Sequence, residues 1–131
     1  MMKKIVLLIM LICSFAAEGV AQEATGATKT GKPMSQLAKP YDESLDAMVQ
    51  IKDAVAKAGA EGKNVICQVG GNWCKWCLWF ADYITTEQDI AKIVSENFVY
   101  IHVNYSPKNK NEKAMEFFGN PKLGYPFFSF H

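Results

Sequence analysis

The amino-acid sequence predicts a layered α/β fold with at least two parallel strands. Helical and strand-like segments alternate along the chain in the order helix, strand, helix, strand, helix, strand. This alternation is typical of α/β domains, in which helices connect parallel strands. The chain has 131 residues, half of them apolar, which is enough for one domain with a buried core.

The first 21 residues have the pattern of a signal peptide. Lys3 and Lys4 precede an apolar run over residues 5–17, and the small residues after it predict cleavage behind Ala21. A membrane-spanning helix needs about 20 apolar residues, more than this run contains. We therefore expect export to the periplasm or another extracytoplasmic compartment, without stable membrane insertion after cleavage.

The rest of the chain is expected to form a leader and a domain. Residues 22–39 are rich in Ala, Thr, Gly and Lys and contain no aromatic residue, which predicts a flexible leader. Residues 40–131 are expected to form the folded domain. The net charge of +1, with scattered Lys and Glu, offers no basic face for nucleic acid. A protein or small-molecule partner is therefore expected.

A first helix is expected near the start of the domain. Asp42 or Ser44 can cap it, and apolar residues then recur at helical spacing over residues 45–56. Gly59 and Gly62 are expected to end the helix, because glycine favours helix termini.

A strand and two helices are expected next. Residues 65–69 are rich in β-branched residues and lead into a glycine pair, which predicts a buried strand followed by a turn. Residues 75–84 are apolar on much of a helical circumference, as in a buried helix. Thr85 with Gln88 has the form of a capping box, which predicts a bend and a second helix.

The last part of the chain is expected to contribute two more strands. Residues 98–104, "FVYIHVN", are almost continuously apolar or β-branched, which predicts a central strand covered on both faces. Residues 106–113 are expected to form a solvated loop, followed by a short helix over residues 112–118. Tyr125-Pro126 then precedes a final strand.

The stretch "NWCKWC" carries the chemistry. A cysteine in the first turn of a helix is stabilised as a thiolate by free backbone N–H groups, and Cys74 is expected there. Lys75 adds a nearby positive charge. Cys77 lies one turn deeper, as expected for a resolving thiol. Trp73 and Trp76 give the pair an apolar rim on which an unfolded peptide could rest.

Other readings of the CxxC pair are weaker. Structural zinc needs four ligands, and after removal of the signal peptide with Cys13 the cysteines and histidines besides the pair are only Cys67, His102 and His131, none in a second CxxC-like motif. Covalent haem attachment needs His after the second cysteine, where Leu78 stands. A purely structural disulfide across two residues would remove little chain entropy. Zinc and a structural disulfide stay open as alternatives.

Cys67 and His102 are interpreted as core residues. After removal of the signal peptide three cysteines remain, so at least one is unpaired within the chain. Cys67 alternates with Gln68 along a strand, so the two side chains are expected on opposite faces. We expect Cys67 to be a buried, inert thiol and His102 to be a core histidine with satisfied hydrogen bonds.

Together these motifs resemble the thioredoxin superfamily, specifically its exported members with a W-C-x-x-C motif. The likeness covers about residues 40–131 and is carried by "VICQV", "NWCKWC", the following helix, "ENFVYIHVNYS" and Tyr125-Pro126. It implies a thioredoxin-like fold, with a central mixed sheet flanked by helices. It also implies a thiol-disulfide oxidoreductase in which Cys74 is the nucleophile, Cys77 resolves, Pro126 is cis, and the backbone of Tyr125 pairs with a bound peptide.

The sequence departs from this family in two places. Gln68 stands six residues before the first cysteine, where thioredoxins have a buried Asp, and a neutral amide does not accept a proton at ordinary pH. The sequence ends at His131, before the family's last strand and C-terminal helix. This suggests a C-terminally truncated domain with "FFSFH" as an exposed edge.

The preferred hypothesis is an exported enzyme that exchanges disulfides with protein thiols and disulfides through Cys74 and Cys77. It would need no metal or organic cofactor, and a separate redox protein would supply electrons. The resemblance favours reductase or isomerase-like work over oxidase work. The alternative is a thioredoxin-like binding or scaffold module with an idle dithiol, for which Gln68 and the missing C-terminal elements are the main support.

Overall fold

A computed structural model describes residues 31–131 of the protein. The predicted signal peptide and most of the predicted leader lie outside these residues. The helices are α1 (Ala47–Glu61), α2 (Lys75–Thr86), α3 (Gln88–Asn97) and α4 (Glu112–Phe117), and the strands are β1 (Asn64–Gly70), β2 (Phe98–Asn104) and β3 (Phe127–Phe130). Within the described part of the chain, no helix has both the length and the apolar character needed to cross a membrane.

The three strands form one mixed sheet in the order β2-β1-β3. β1 runs parallel to β2, with Asn64 opposite Phe98, and antiparallel to β3, with Val69 opposite Phe127. The expected α/β fold with parallel strands is confirmed. The predicted central position of β2 is wrong, because β1 lies in the middle and β2 lies at one edge of the described sheet.

Both sides of β2 contact helices, which explains why an edge strand is apolar on both faces. One face of the sheet packs against α1 and α4, and the other face of β2 packs against α3. The buried members of the first face are Ala47, Ile51, Ala54, Ala58, Val65, Cys67, Val69, Val99, Val103, Ala114, Met115 and Phe127. A local apolar pattern predicts that both faces of a strand are buried, but it does not predict which strands are neighbours in the sheet.

The start of α1 differs from the prediction. Asp46 is the cap, since its carboxylate accepts hydrogen bonds from the N–H groups of the second and third helical residues. Asp42 accepts instead from the backbone N–H and hydroxyl of Ser44, so neither predicted residue caps the helix. Gly59 lies inside the helix. Gly62 ends it in the left-handed conformation, at φ 66°.

The junction of α2 and α3 also corrects the sequence analysis. α2 continues to Thr86, and α3 begins at Gln88 after a single intervening residue. Thr85 therefore lies within α2, where its hydroxyl donates to the carbonyl oxygen of Ala81 at 2.9 Å. The predicted capping box is wrong, because its threonine is used inside the preceding helix.

The end of the predicted flexible leader packs against α2. Met34–Gln36 forms a 3₁₀ turn, and Leu37 is only 5% exposed. The indole Nε1 of Trp79 donates to the carbonyl oxygen of Lys32 at 2.9 Å. The apolar side chains at 34 and 37 supply the burial that the overall composition of the leader does not indicate.

The predicted solvated loop after β2 is tied to the start of α1. The Asn109 side-chain amide donates to the carbonyl oxygen of Glu43 at 3.1 Å, and the Asn111 side-chain oxygen accepts from the backbone N–H of Ala47 at 3.0 Å. Ser106 is 2% exposed. Asparagine side chains can replace backbone partners in this way, so a polar loop sequence does not always indicate solvation.

Candidate active site

Cys74 lies where the turn after β1 enters α2. Its backbone N–H donates to the carbonyl oxygen of Gly71 at 3.0 Å, and its own carbonyl oxygen accepts from Leu78 at 3.1 Å. Cys74 is the N-cap residue of α2, and its sulfur accepts a hydrogen bond from the backbone N–H of Cys77 at 3.2 Å. The sulfur therefore lies at the positive end of the helix.

Cys74 and Cys77 form a disulfide, with their Cα atoms 5.2 Å apart. Cys74 is 5% exposed and Cys77 is completely buried. Cys74 is thus the outer sulfur of the pair. A partner thiol reaches it more easily than it reaches Cys77.

Trp73 and Trp76, the predicted aromatic rim, are exposed beside the dithiol, and Lys75 lies over the ring of Trp79. Trp73 is 49% exposed, and its indole N–H donates to the carbonyl oxygen of Tyr105 at 2.8 Å. Trp76 is 66% exposed and meets Trp79 edge to face. The Lys75 ammonium lies 4.3 Å from the Trp79 ring centre, a cation–π contact. The structure thus gives Lys75 a partner on α2 itself.

The Tyr125–Pro126 peptide bond is cis, as the resemblance implied. Tyr125 packs against the buried cluster that contains both cysteines. Its ring stacks on Tyr105 at 5.3 Å and meets Trp73 edge to face at 5.5 Å. The residue before the proline therefore forms one continuous aromatic wall with the residue before Cys74.

Gln68 lies directly behind the dithiol and is completely buried. Its amide nitrogen donates to the carbonyl oxygen of Cys77 at 2.9 Å, and its oxygen accepts from the hydroxyl of Tyr100 at 2.5 Å. The side chain thus holds the first turn of α2 against the sheet. Both ends of the amide are in use.

Tyr41 and Asn72 belong to the site, although no sequence motif predicts them there. Tyr41 is 3% exposed and lies in the buried cluster with Cys74, Cys77 and Leu78. The Asn72 side chain pairs with the Tyr41 backbone twice, accepting from its N–H at 3.1 Å and donating to its carbonyl oxygen at 2.8 Å. The sequence shows only that Tyr41 is an aromatic residue at the start of the domain and does not belong to the apolar face of α1.

A family model matches residues 29–116 of the chain. The family is Thioredox_DsbH, described as a protein of unknown function, DUF255. The chain belongs to this family. The match covers both cysteines, Gln68 and Tyr41, and therefore most of the site described above.

Two named proteins resemble this Thioredox_DsbH member. A thiol:disulfide interchange protein DsbD of Colwellia psychrerythraea is 26% identical over 72 residues, which are 55% of the chain and 12% of that protein. The chain therefore spans a small part of that relative's length. The crystal structure of a disulphide isomerase from Xylella fastidiosa Temecula1 superposes with a TM-score of 0.62 and 26% identity, over 72% of each chain. The predicted thioredoxin-like fold is confirmed, and the names of both relatives agree with the predicted thiol-disulfide oxidoreductase class.

Cys67 of this Thioredox_DsbH protein is a buried free thiol, as predicted. It lies in the core shared with α1, whereas its neighbour Gln68 lies on the dithiol side, so the two side chains face opposite sides of the sheet. Burial raises the pKa of Cys67 to about 11. The thiol is therefore neutral at physiological pH and is poorly suited to exchange.

His102 differs from the prediction of a satisfied core histidine. Its Nε2 atom is buried and has no hydrogen-bond partner among the described residues. Its ring contacts Tyr41 at 5.1 Å and Tyr100 at 5.3 Å. Burial lowers the pKa of His102 from 6.5 to about 4, so the folded protein keeps this imidazole neutral.

This depressed pKa predicts a loss of stability in acid. Between about pH 6.5 and pH 4 the unfolded chain binds a proton at His102 that the folded protein does not bind, so the free energy of unfolding decreases as the pH falls. Urea unfolding at pH 7 and pH 4.5 is expected to show a decrease about 2 kcal/mol larger for the wild type than for His102→Phe. Equal decreases in the two proteins would contradict the lowered pKa of His102 as the cause of the acid sensitivity.

Proposed function

We propose that the protein exchanges disulfides with protein substrates outside the cytoplasm and works as a reductase or isomerase rather than as an oxidase. One observation carries this proposal. The Cys74–Cys77 pair closes a disulfide at the N-terminus of α2, with the outer sulfur at the helix end and the inner one buried behind it.

Cys74 is the proposed nucleophile. In the reduced protein its thiolate would lie where the first N–H groups of α2 have no partner inside the helix, and the N–H of Cys77 already donates to this sulfur. Both effects stabilise negative charge on the sulfur, and the thiolate is the reactive form of cysteine. The lower exposure of Cys77 supports the opposite role, that of a resolving thiol.

The proposed exchange has two steps. The Cys74 thiolate attacks a substrate disulfide, a bond forms between Cys74 and one substrate sulfur, and the other substrate sulfur leaves with the electron pair and takes up a proton. Cys77 then attacks Cys74, which closes the internal disulfide and releases the first substrate sulfur as a thiol. The substrate is reduced by two electrons, and an external dithiol protein must reopen the pair.

The aromatic rim is the proposed contact surface for the substrate. Trp73 and Trp76, which precede and follow Cys74 in the chain, are 49% and 66% exposed, and Tyr125 continues the wall on the proline side. Exposed rings of this size can cover an extended peptide without reading its sequence. The backbone of Tyr125, next to the cis Pro126, is proposed to hydrogen-bond with that peptide.

The remaining parts of the proposal come from the sequence. The signal-peptide pattern over residues 1–21 supports export, and residues 40–131 are proposed to contain the catalytic domain. Exchange between sulfur atoms needs no metal or organic cofactor, and we propose none. The electron donor would be a separate protein with a dithiol of its own.

An insulin assay tests the activity. The intact mature chain is expected to accelerate the reduction of insulin by dithiothreitol, followed by the turbidity of the released chains. The double variant Cys74→Ser and Cys77→Ser is the control, because it keeps the rim and removes both sulfurs. Equal rates for the two proteins would remove the enzyme proposal and favour the binding module with an idle dithiol.

A redox equilibrium with glutathione tests the direction. A potential of about −180 mV or lower is expected for a reductase or isomerase, whereas strong oxidants lie near −120 mV. A value near −120 mV would contradict the proposed direction. The proposed exchange between Cys74, Cys77 and a substrate disulfide would still stand with such a potential.

A further inference from the structure

The hydroxyl group of Tyr41 is buried without a partner. The residue is 3% exposed, and its phenolic oxygen has no hydrogen-bond partner of good geometry among the described residues. Burial raises the pKa of Tyr41, and the Gln68 side chain lies near enough to lower it in part, but the Gln68 oxygen already accepts from Tyr100. A buried hydroxyl that lacks a partner destabilises a folded protein, so such groups need an explanation. A partner that forms only in the reduced protein would provide this explanation.

Gly70 lies next to this hydroxyl and to the sulfur of Cys77. A Cβ atom added at Gly70 would be 3.0 Å from the Tyr41 hydroxyl oxygen and closer still to the sulfur of Cys77. The distance between the hydroxyl oxygen and the sulfur is therefore less than twice 3.0 Å. Both atoms lie against the backbone of Gly70, and the absence of a side chain there allows this approach. Any larger residue at this position would clash with the sulfur of Cys77.

Three contacts fix the position of Tyr41. Asn72 pairs with its backbone N–H and carbonyl oxygen, and the edge of its ring meets His102 at 5.1 Å. Leu37 packs beside it in the cluster that contains both cysteines. Because Asn72 is only two residues before Cys74, the same turn positions the dithiol and the tyrosine.

We propose that the Tyr41 hydroxyl donates a hydrogen bond to the sulfur of Cys77 when the disulfide is open. In the closed disulfide this sulfur is a weak, neutral acceptor, whereas a thiolate accepts a charge-assisted hydrogen bond. The hydroxyl would therefore find its partner only in the reduced protein. The inference rests on the proposed role of Cys77 as the resolving thiol and adds a group that assists it.

The other polar groups around Cys77 do not supply this donor. The Gln68 amide nitrogen donates to the backbone oxygen of Cys77, and the Tyr100 hydroxyl donates to Gln68. The ring of His102 packs against the rings of Tyr41 and Tyr100 and makes no hydrogen bond with Cys77 among the described residues. Burial raises the pKa of Tyr41, so its phenol keeps the proton it would share.

The assisted step is the second one of the exchange. Cys77 loses its proton to water, and the Tyr41 hydroxyl holds the resulting thiolate. That thiolate attacks the Cys74 sulfur of the mixed disulfide, a Cys74–Cys77 bond forms, and the bond from Cys74 to the substrate breaks. The electron pair leaves on the substrate sulfur, which takes a proton from water. Tyr41 keeps its proton throughout, and its hydrogen bond is released as the disulfide closes.

The test is Tyr41→Phe, which removes only the hydroxyl group. The equilibrium between dithiol and disulfide is measured against glutathione at pH 9, where free thiols are largely ionised. The variant is expected to shift about tenfold toward the disulfide, since one hydrogen bond to a charged group is lost in the reduced form alone. The oxidised variant is expected to be at least as stable to urea as the wild type, because an unpaired hydroxyl has been removed.

Tyr100→Phe is the matched control, since it removes a buried tyrosine hydroxyl that has a partner in the oxidised protein. It is expected to destabilise the oxidised and reduced forms equally and to move the glutathione equilibrium less than threefold. The inference is overturned if Tyr41→Phe also shifts less than threefold, or shifts no more than Tyr100→Phe. This equilibrium involves no protein substrate, so a wild type inactive on insulin would refute the proposed function without deciding this test.

Discussion

Cys74→Ser is expected to abolish the acceleration of insulin reduction, whereas Cys77→Ser, reduced and then freed of dithiothreitol, is expected to react once and stop. In the first variant the outer sulfur at the start of α2 is gone, and the buried Cys77 is not accessible to a substrate disulfide. In the second variant the substrate remains joined to Cys74, because Cys77 is absent and no external thiol is present to attack the mixed disulfide. Mass spectrometry without reductant is expected to show this adduct at one substrate per protein.

Cys67→Ala is the matched control for both variants. It removes a cysteine from the same strand-turn-helix unit, but one that faces the opposite side of the sheet. Its insulin rate is expected to match that of the wild type. Without reductant, a stable adduct on Cys74→Ser, or no adduct on Cys77→Ser, would contradict the assigned order of the two sulfurs.

Gly70→Ala is expected to destabilise the oxidised protein by about 1–3 kcal/mol, the usual cost of overpacking a buried site. The added methyl group would overlap the sulfur of Cys77 and approach the hydroxyl of Tyr41. Neither neighbour is the free end of a flexible chain, since the sulfur is held in the disulfide and Tyr41 is held by Asn72. Urea unfolding under non-reducing conditions measures the effect.

Gly59→Ala provides the opposite result for comparison. Gly59 lies inside α1, and an added Cβ there would meet no atom within 4 Å. Alanine is the better helix former, so this variant is expected to gain about 0.5–1 kcal/mol. If the two glycine variants changed the free energy of unfolding by the same amount, overlap with the Cys77 sulfur would not explain the effect of Gly70→Ala.

The sequence was sufficient for those parts of the fold that depend on local pattern. The β-branched run of β1, the glycine turn and the apolar α2 predicted the strand, turn and helix that carry the dithiol, and the structure places all three as expected. The choice among neighbouring caps was not predictable. Asp42, Ser44 and Asp46 all have suitable side chains, and only the path of the chain decides which of them reaches the free N–H groups of α1.

The features that were missed depend on contacts between distant parts of the chain. β2 lies at the edge because of the order of the strands in the sheet. Both of its faces are apolar because α1 and α3 cover them. The residues of the strand alone encode neither the strand order nor the covering helices. Tyr41 lies in one buried cluster with Cys77, which is 36 positions later along the chain, and both approach the backbone of Gly70 because that residue has no side chain. Leu37 joins the same cluster although the composition around it resembles a linker.

The tryptophans give the site a built-in optical reporter. The chain contains only three, and Trp73, Trp76 and Trp79 all lie within five residues of Cys74. Intrinsic indole emission therefore arises entirely from the surroundings of this disulfide. Opening, closing and adduct formation can accordingly be followed by the fluorescence of the unlabelled protein, in real time and without a competing background from the rest of the molecule.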